Sequence, residues 1–137
     1  FCFLWQSVIV NRNFNTFTMD AINLNQRAKK FAVQVIRFFQ KLPNSEESKI
    51  LGKQLLRCGT SVAANYRSAC RARSDQEFYA KICIVVEEND EVLFWLELLL
   101  EAEIVTENQS LALVNEAKEL LYIFSASKKT MKNKLKS

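Results

Sequence analysis

The sequence predicts an all-α fold, an antiparallel four-helix bundle with up-down-up-down connections. The 137 residues include only two Gly and one Pro, too few for the many turns of a β-sandwich or for a phosphate-binding dinucleotide fold. Apolar residues recur at spacings of three and four along four segments, which is typical of amphipathic helices. The three connections are only a few residues long, and such short connections make consecutive helices antiparallel.

The first two helices are predicted over residues 23–40 and 44–72. The first ends before Pro43, because proline disfavours helical backbone in the residue that precedes it. The second starts at Asn44, and Glu47 three residues later completes a capping box.

The third and fourth helices are predicted over residues 74–104 and 106–127. Ser74 with Glu77 and Thr106 with Gln109 have the spacing of N-terminal capping boxes. The Lys-rich residues 128–137 are predicted to fray, as chain ends without tertiary contacts do.

Side chains that repeat on one face of each helix are predicted to form the core. Gly52 and Gly59 lie within the second helix, where each costs up to about 1 kcal/mol relative to Ala, so a close helix approach is expected there. The inward-facing residues are expected to include Phe31, Val35, Leu55, Cys58, Val62, Tyr66, Ile82, Val85, Asn89, Leu96, Leu111, Val114, Ala117, Leu121 and Phe124.

The bundle domain is predicted to span residues 19–127, with residues 1–18 a disordered or artefactual leader. The leader is apolar at Phe1–Trp5 and Val8–Val10, but this stretch is too short and too broken to span a bilayer. Met19 opens the well-patterned sequence and is interpreted as the true start. The alternative is a genuine N-terminal arm that packs on a neighbouring molecule.

The chain has no histidine, which removes Ser-His-Asp and Cys-His catalysis, HExxH zinc sites and Glu-x-x-His di-iron sites. No Gly-rich phosphate-binding motif is present. The acidic run Glu87–Glu91 therefore predicts a solvated or salt-bridging face rather than a metal site. We expect no catalytic residue, no cofactor and no metal. The four cysteines lack a CxxC pair and are predicted to be reduced thiols of a cytoplasmic protein.

Charge is unevenly distributed along the chain although the net charge is only +4. Residues 1–81 have a balance of +8, residues 82–119 of −9, and residues 120–137 of +5. Such segregation favours charge-complementary packing within or between subunits. It also leaves a basic surface that is not covered by acidic residues.

That basic surface is the candidate binding site. Helical spacing places several cations of the second helix on one face, with others in the turn and in the third helix, and a phosphate backbone could lie along them. The residues predicted to bind RNA or DNA are Lys53, Arg57, Arg67, Arg71, Arg73 and Lys81, and Arg27, Lys30, Arg37 and Lys41 extend the surface. The alternatives are a solvated face or pairing with the acidic third helix of another subunit.

The third helix is apolar almost all round between Val92 and Leu100. A helix of a four-helix bundle buries one stripe, so such a helix needs a second partner. Three partners would suit such a surface: the arm before Met19, a membrane or another protomer. Glu97 and the neighbouring acids argue against a membrane, and self-association is the favoured expectation.

Two sequence stretches resemble a known family. The first is Cys58-Gly-Thr-Ser-Val-Ala-Ala-Asn-Tyr-Arg-Ser-Ala-Cys-Arg-Ala-Arg-Ser74, and the second contains Trp95-Leu-Glu-Leu-Leu99. Both resemble the bacterial four-helix bundle family of 23S rRNA intervening-sequence proteins, over about residues 26–124. The chain is also similar to the accessory variability protein of diversity-generating retroelements.

The resemblance implies a small cytoplasmic protein that forms a homopentameric barrel and has no established catalytic residues. Two functions follow as hypotheses. One is a non-enzymatic oligomer that binds RNA or DNA through its basic surface. The other is a protein-interaction scaffold that recruits a partner such as a reverse transcriptase, with its charges serving self-assembly.

Overall fold

The computed structural model describes the backbone of residues 14–137 and the side chains of residues 23–137. In this range the chain forms four α-helices and no strand, so the predicted helical class and helix number are confirmed. The helices are α1 (Phe14–Gln40), α2 (Glu46–Cys70), α3 (Asp75–Glu101) and α4 (Glu107–Lys136). Each helix packs on the helix that follows it, and α4 also contacts α1, which closes the bundle.

The N-terminal ends of the helices follow the capping rules. Thr106 and Gln109 form a complete capping box at α4. At α3 the Ser74 hydroxyl accepts a hydrogen bond from the Glu77 N–H at 3.1 Å, while the Glu77 carboxylate accepts from the Arg73 N–H rather than from Ser74.

The predicted boundaries are wrong in three other places. The N-cap of α2 is Ser45 rather than Asn44, because the Ser45 side chain accepts from the Ser48 N–H at 3.3 Å. Helix α3 ends at Glu101, since Glu103 adopts a left-handed conformation with φ 57° that stops the helix. Helix α1 begins at Phe14, so its first turns fall inside the predicted leader. The rest of that leader, residues 1–13, lies outside the described residues.

The predicted fraying of residues 128–137 is also wrong. Helix α4 continues to Lys136 because two of its late residues face the core, Ser127 at 2% and Met131 at 0% exposure. The Lys134 Nζ also pairs with the Asp75 carboxylate at 3.0 Å. The Lys-rich segment is therefore an ordered part of the bundle.

The core lies between the four helices and contains the predicted apolar positions of α1, α2 and α3. Tyr66 and Phe124 meet across it with their ring centroids 5.0 Å apart. Asn89 is fully buried, and its amide donates to the Ala117 carbonyl at 3.1 Å. On α4 the prediction was wrong at Leu111, which is 50% exposed.

No helix within residues 14–137 is long and apolar enough to cross a lipid bilayer. The apolar run of α3 is covered by its own bundle at Val92, Leu93, Leu96 and Leu99, which are all buried. Trp95, Leu98 and Leu100 are half-buried, and Phe94 is the most open apolar residue of the run at 49% exposure. The bundle thus hides more of this run than the sequence predicts.

Candidate nucleic-acid interface

The outer face of α2 displays four of the predicted cations, Lys53, Arg57, Arg67 and Arg71, all of which are exposed. They share a face because their spacings of four, ten and four residues are close to whole helical turns. The helices on either side of α2 give them different neighbours, so they do not form one uniform surface.

Arg67 and Arg71 line a cleft between α1 and α2 with a volume of about 540 Å³. Lys29 of α1 brings a third cation to the same cleft. No carboxylate is among the lining residues, which are Asn25, Gln26, Lys29, Ala63, Ala64, Arg67, Cys70 and Arg71. Three cations without a counter-charge, beside two amide side chains, form a site suited to an oxyanion such as phosphate.

Small residues of α2 bring the two helices together below this cleft. A Cβ added to Gly59 would lie 2.7 Å from one γ-methyl group of Val35 and 3.1 Å from its Cβ. A Cβ added to Gly52 would lie 2.7 Å from a δ-methyl group of Leu42. The close helix approach predicted from these two glycines is therefore confirmed.

Arg57 points to the opposite flank of α2, toward α3. Its guanidinium lies 3.2 Å from the Glu88 carboxylate and 2.8 Å from that of Glu91. The hydrogen bond to Glu91 raises the pKa of Arg57. With two carboxylates at its guanidinium, Arg57 is the least available of the predicted phosphate ligands.

The other predicted residues are spread around the bundle and do not line the cleft. Lys53 is exposed about four turns from Arg67 along α2, Arg73 is exposed in the α2–α3 turn, and Lys81 is half-buried on α3. Arg27 is paired across the bundle, with its guanidinium 2.7 Å from Glu116 and 3.0 Å from Glu119 of α4.

Lys29 is the cleft residue that the sequence analysis missed. It lies next to Lys30, which points into a separate depression shared with Arg27 and Glu116. Helical spacing alone does not show which of two adjacent lysines faces α2. The signal that could have found Lys29 is its position seven residues before Ile36, on the flank of the apolar stripe.

The thiols near this surface are placed for packing rather than for reaction. Burial raises the pKa of Cys58 to about 12, so the thiol stays protonated at neutral pH. Cys70 is also buried, in the wall of the cleft, whereas Cys83 is partly exposed. Cys2 lies outside the described residues. Among residues 23–137, no group of three cysteine or carboxylate side chains could hold a metal ion.

Two comparisons with known proteins find relatives of this chain. The family model of the 23S rRNA-intervening sequence protein matches residues 21–126. A crystal structure of a protein with unknown function from the S23 ribosomal protein family of Bacteroides thetaiotaomicron is similar in fold, with a TM-score of 0.74. The two chains are 31% identical, and the match covers 80% of this chain and 97% of that one. No protein of curated function matches the chain.

Proposed function

Because the chain belongs to the 23S rRNA-intervening sequence protein family, we propose that it is a non-enzymatic cytoplasmic protein that binds structured RNA through the cleft between α1 and α2. The observation that carries the proposal is the convergence of Lys29, Arg67 and Arg71 in that cleft, without a carboxylate among its lining residues. Arg73 extends the positive surface at the adjacent turn.

Phosphate groups are the natural ligands of such a cleft. A guanidinium offers two parallel N–H donors to a phosphate, and the release of condensed counterions adds a favourable term that depends on salt. The cleft has no exposed aromatic ring among its lining residues. Recognition there therefore acts on the phosphate backbone and on its shape, which suits a folded RNA better than an unpaired strand.

The test is a charge reversal with a matched control. Arg67→Glu with Arg71→Glu should abolish binding of a labelled RNA hairpin, measured by fluorescence anisotropy at about 100 mM salt. Arg37→Glu with Lys41→Glu changes the net charge equally outside the cleft and should weaken binding only slightly. Equal losses in the two double variants, or no hairpin binding by the wild type, would refute the proposal.

We further propose that copies of the chain assemble through the outer flank of α3, in a ring for which the family resemblance suggests five subunits. Phe94 is 49% exposed and Ile50 on α2 is 57% exposed. Ile50 lies seven residues before Arg57 on α2, and Arg57 pairs with Glu91 of α3. Because α2 and α3 run antiparallel, Ile50 is level with the residue seven positions after Glu91, which is Leu98. The indole N–H of Trp95 is buried without a hydrogen-bond partner.

The exposed side chains of Phe94 and Ile50 form an apolar patch, and the charges around it favour a second copy of the chain as its partner. Glu87, Asp90 and Glu97 are exposed on α3, whereas Lys49 and Lys53 are exposed on α2. A contact between α3 of one copy and α2 of the next uses different surfaces on the two partners, and such contacts form a ring when the rotation between copies closes.

Light scattering coupled to size exclusion tests this assembly. The wild type should elute as an oligomer, and Phe94→Glu should reduce its mass. Leu111→Glu, at a position of similar exposure on α4, should not. A monomeric wild type, or equal masses for all three proteins, would contradict the proposal.

The patch also supports the second candidate function, a scaffold that recruits a partner protein such as a reverse transcriptase. Stoichiometric co-purification of one protein that Phe94→Glu releases would favour it, provided that the absorbance ratio shows no bound nucleic acid.

A further inference from the structure

A row of cations with one aromatic ring runs along the outer face of α4. Lys118, Tyr122, Lys129 and Lys136 follow at intervals of four, seven and seven residues, which keeps them on one side of the helix. Because α4 is continuous to Lys136, this α4 row is straight and about 27 Å long.

The members of the α4 row are open to solvent. Tyr122 is 78% exposed, more than any other large hydrophobic side chain in the described part of the chain, and the three lysines are exposed too. None of the described residues forms an ion pair with these lysines, and none stacks on the Tyr122 ring.

Two of the three acids of α4 face α1 rather than this row. Glu116 and Glu119 are turned toward α1, where both bind the guanidinium of Arg27 at 2.7 and 3.0 Å. Lys134, on another side of the helix, pairs with Asp75. The third acid, Glu107, is exposed at the start of α4 and lines a depression with Glu97 and Lys118. Helix α4 carries no acid after Glu119, so its own carboxylates leave the row uncompensated from Tyr122 to Lys136.

An exposed ring among lysines combines the two elements that proteins use to hold unpaired nucleic-acid strands. The ring offers a surface on which a base stacks, and the ammonium groups contact the flanking phosphates. A base within a duplex is already stacked on both sides and cannot reach the ring. We infer that the outer face of α4 binds single-stranded RNA or DNA, with Tyr122 stacked on a base and Lys118, Lys129 and Lys136 along the backbone.

This surface is separate from the α1–α2 cleft. Helix α4 packs on α3 and α1, so its outer face points away from α2 and from Arg67 and Arg71. The inference therefore does not rest on the proposed binding of structured RNA, and either surface could fail without the other.

The test uses a labelled single strand of about 12 nucleotides and the full-length protein, with the dissociation constant read from fluorescence anisotropy. Tyr122→Ala should weaken binding about tenfold, the order expected when one stacked base is lost. Tyr122→Phe retains the ring and should bind within about twofold of the wild type. Because Tyr122 is largely exposed, both variants should fold, and circular dichroism verifies this.

Two controls separate this site from the cleft. Leu111→Ala, at another exposed apolar position of α4, and the double variant Arg67→Glu with Arg71→Glu should both keep most of the single-strand affinity. If the wild type does not bind the strand, or if Tyr122→Ala binds it as tightly as the wild type, the inference is wrong. Loss of binding in the Arg67 and Arg71 variant alone would assign the strand to the cleft and would also overturn it.

Discussion

The two flanks of α2 carry the same kind of cation but differ in what faces them. On the α3 flank, Arg57 meets the carboxylates of Glu88 and Glu91 at 3.2 and 2.8 Å. On the α1 flank, Arg67 and Arg71 line the cleft with Lys29 and face no carboxylate there. A guanidinium on the first flank stabilises the packing of two helices, whereas one on the second is available to a ligand.

The difference originates in the helix that covers each flank. Helix α1 approaches α2 through Gly59 and Val35 and contributes Lys29 above that contact. Helix α3 carries most of the acidic segment of the chain and neutralises the cation that faces it. The contrast teaches that a basic helix face indicates a binding surface only where its neighbour supplies no acid.

The largest expected effect on stability comes from the packing of the α1 flank. Gly59→Ala should lower the free energy of unfolding by about 1–2 kcal/mol, because overpacking costs more than the gain in helix propensity. Val35 is β-branched, and its own Cβ would lie 3.1 Å from the new methyl group, so it cannot turn away. Urea unfolding measures the change.

Gly52→Ala is the matched control for this prediction. The new methyl group would meet the end of the Leu42 side chain at 2.7 Å and the Phe39 ring at 3.0 Å. Because the end of the Leu42 side chain can move, the cost of overpacking should be small. It should nearly cancel the gain in helix propensity from Gly to Ala. Equal destabilisation by the two substitutions would show that Gly59 has no special part in holding α1 against α2.

Cys58, on the α3 flank of α2, should make the protein less stable at alkaline pH. Burial raises the pKa of Cys58 from 9.0 to about 12, so between these values the unfolded chain releases the thiol proton and the folded chain keeps it. The free energy of unfolding should therefore keep the full contribution of this thiol below about pH 9. Above that pH it should decrease, by at most about 1.4 kcal/mol per pH unit.

Urea unfolding at about pH 8 and pH 10 on the wild type and on Cys58→Ala measures this contribution. The variant lacks the thiol, so the wild type should lose about 1 kcal/mol more than the variant over that interval. If the two proteins lose stability in parallel, the Cys58 thiol is not shielded from solvent as the packing indicates.

The smallest effect is expected at Arg57. Arg57 is 49% exposed, and ion pairs as open to solvent as this one contribute about 0.2–1 kcal/mol. Arg57→Ala should therefore lower the free energy of unfolding by no more than that and leave hairpin affinity within about twofold. A loss of affinity as large as that of Arg71→Ala would erase the distinction between the two flanks.

Local signals predicted much of the fold. The capping residues Ser74 and Thr106 set the starts of α3 and α4, and the glycines of α2 predicted the close contact with α1. The length of α4 was also readable from the sequence, because Leu120, Phe124, Ser127 and Met131 continue one buried face at spacings of four, three and four. The prediction failed there because the lysines between these positions outweighed the periodicity.

The candidate site was less predictable because it depends on pairings between distant residues. Arg57 and its partners Glu88 and Glu91 are 31 and 34 residues apart, and only the rotation of α3 against α2 brings them together. The same holds for Lys29 and Arg67, whose convergence depends on how α1 lies on α2.

The salt dependence of hairpin binding tests the central claim most directly, because it counts the phosphates that the cleft neutralises. Arg67→Ala with Arg71→Ala should make the slope of log K against log salt concentration shallower by about 1.4–1.8, the value for two lost phosphate contacts. Arg57→Ala should leave the slope unchanged. Equal slopes for the wild type and the Arg67 and Arg71 variant would contradict the account.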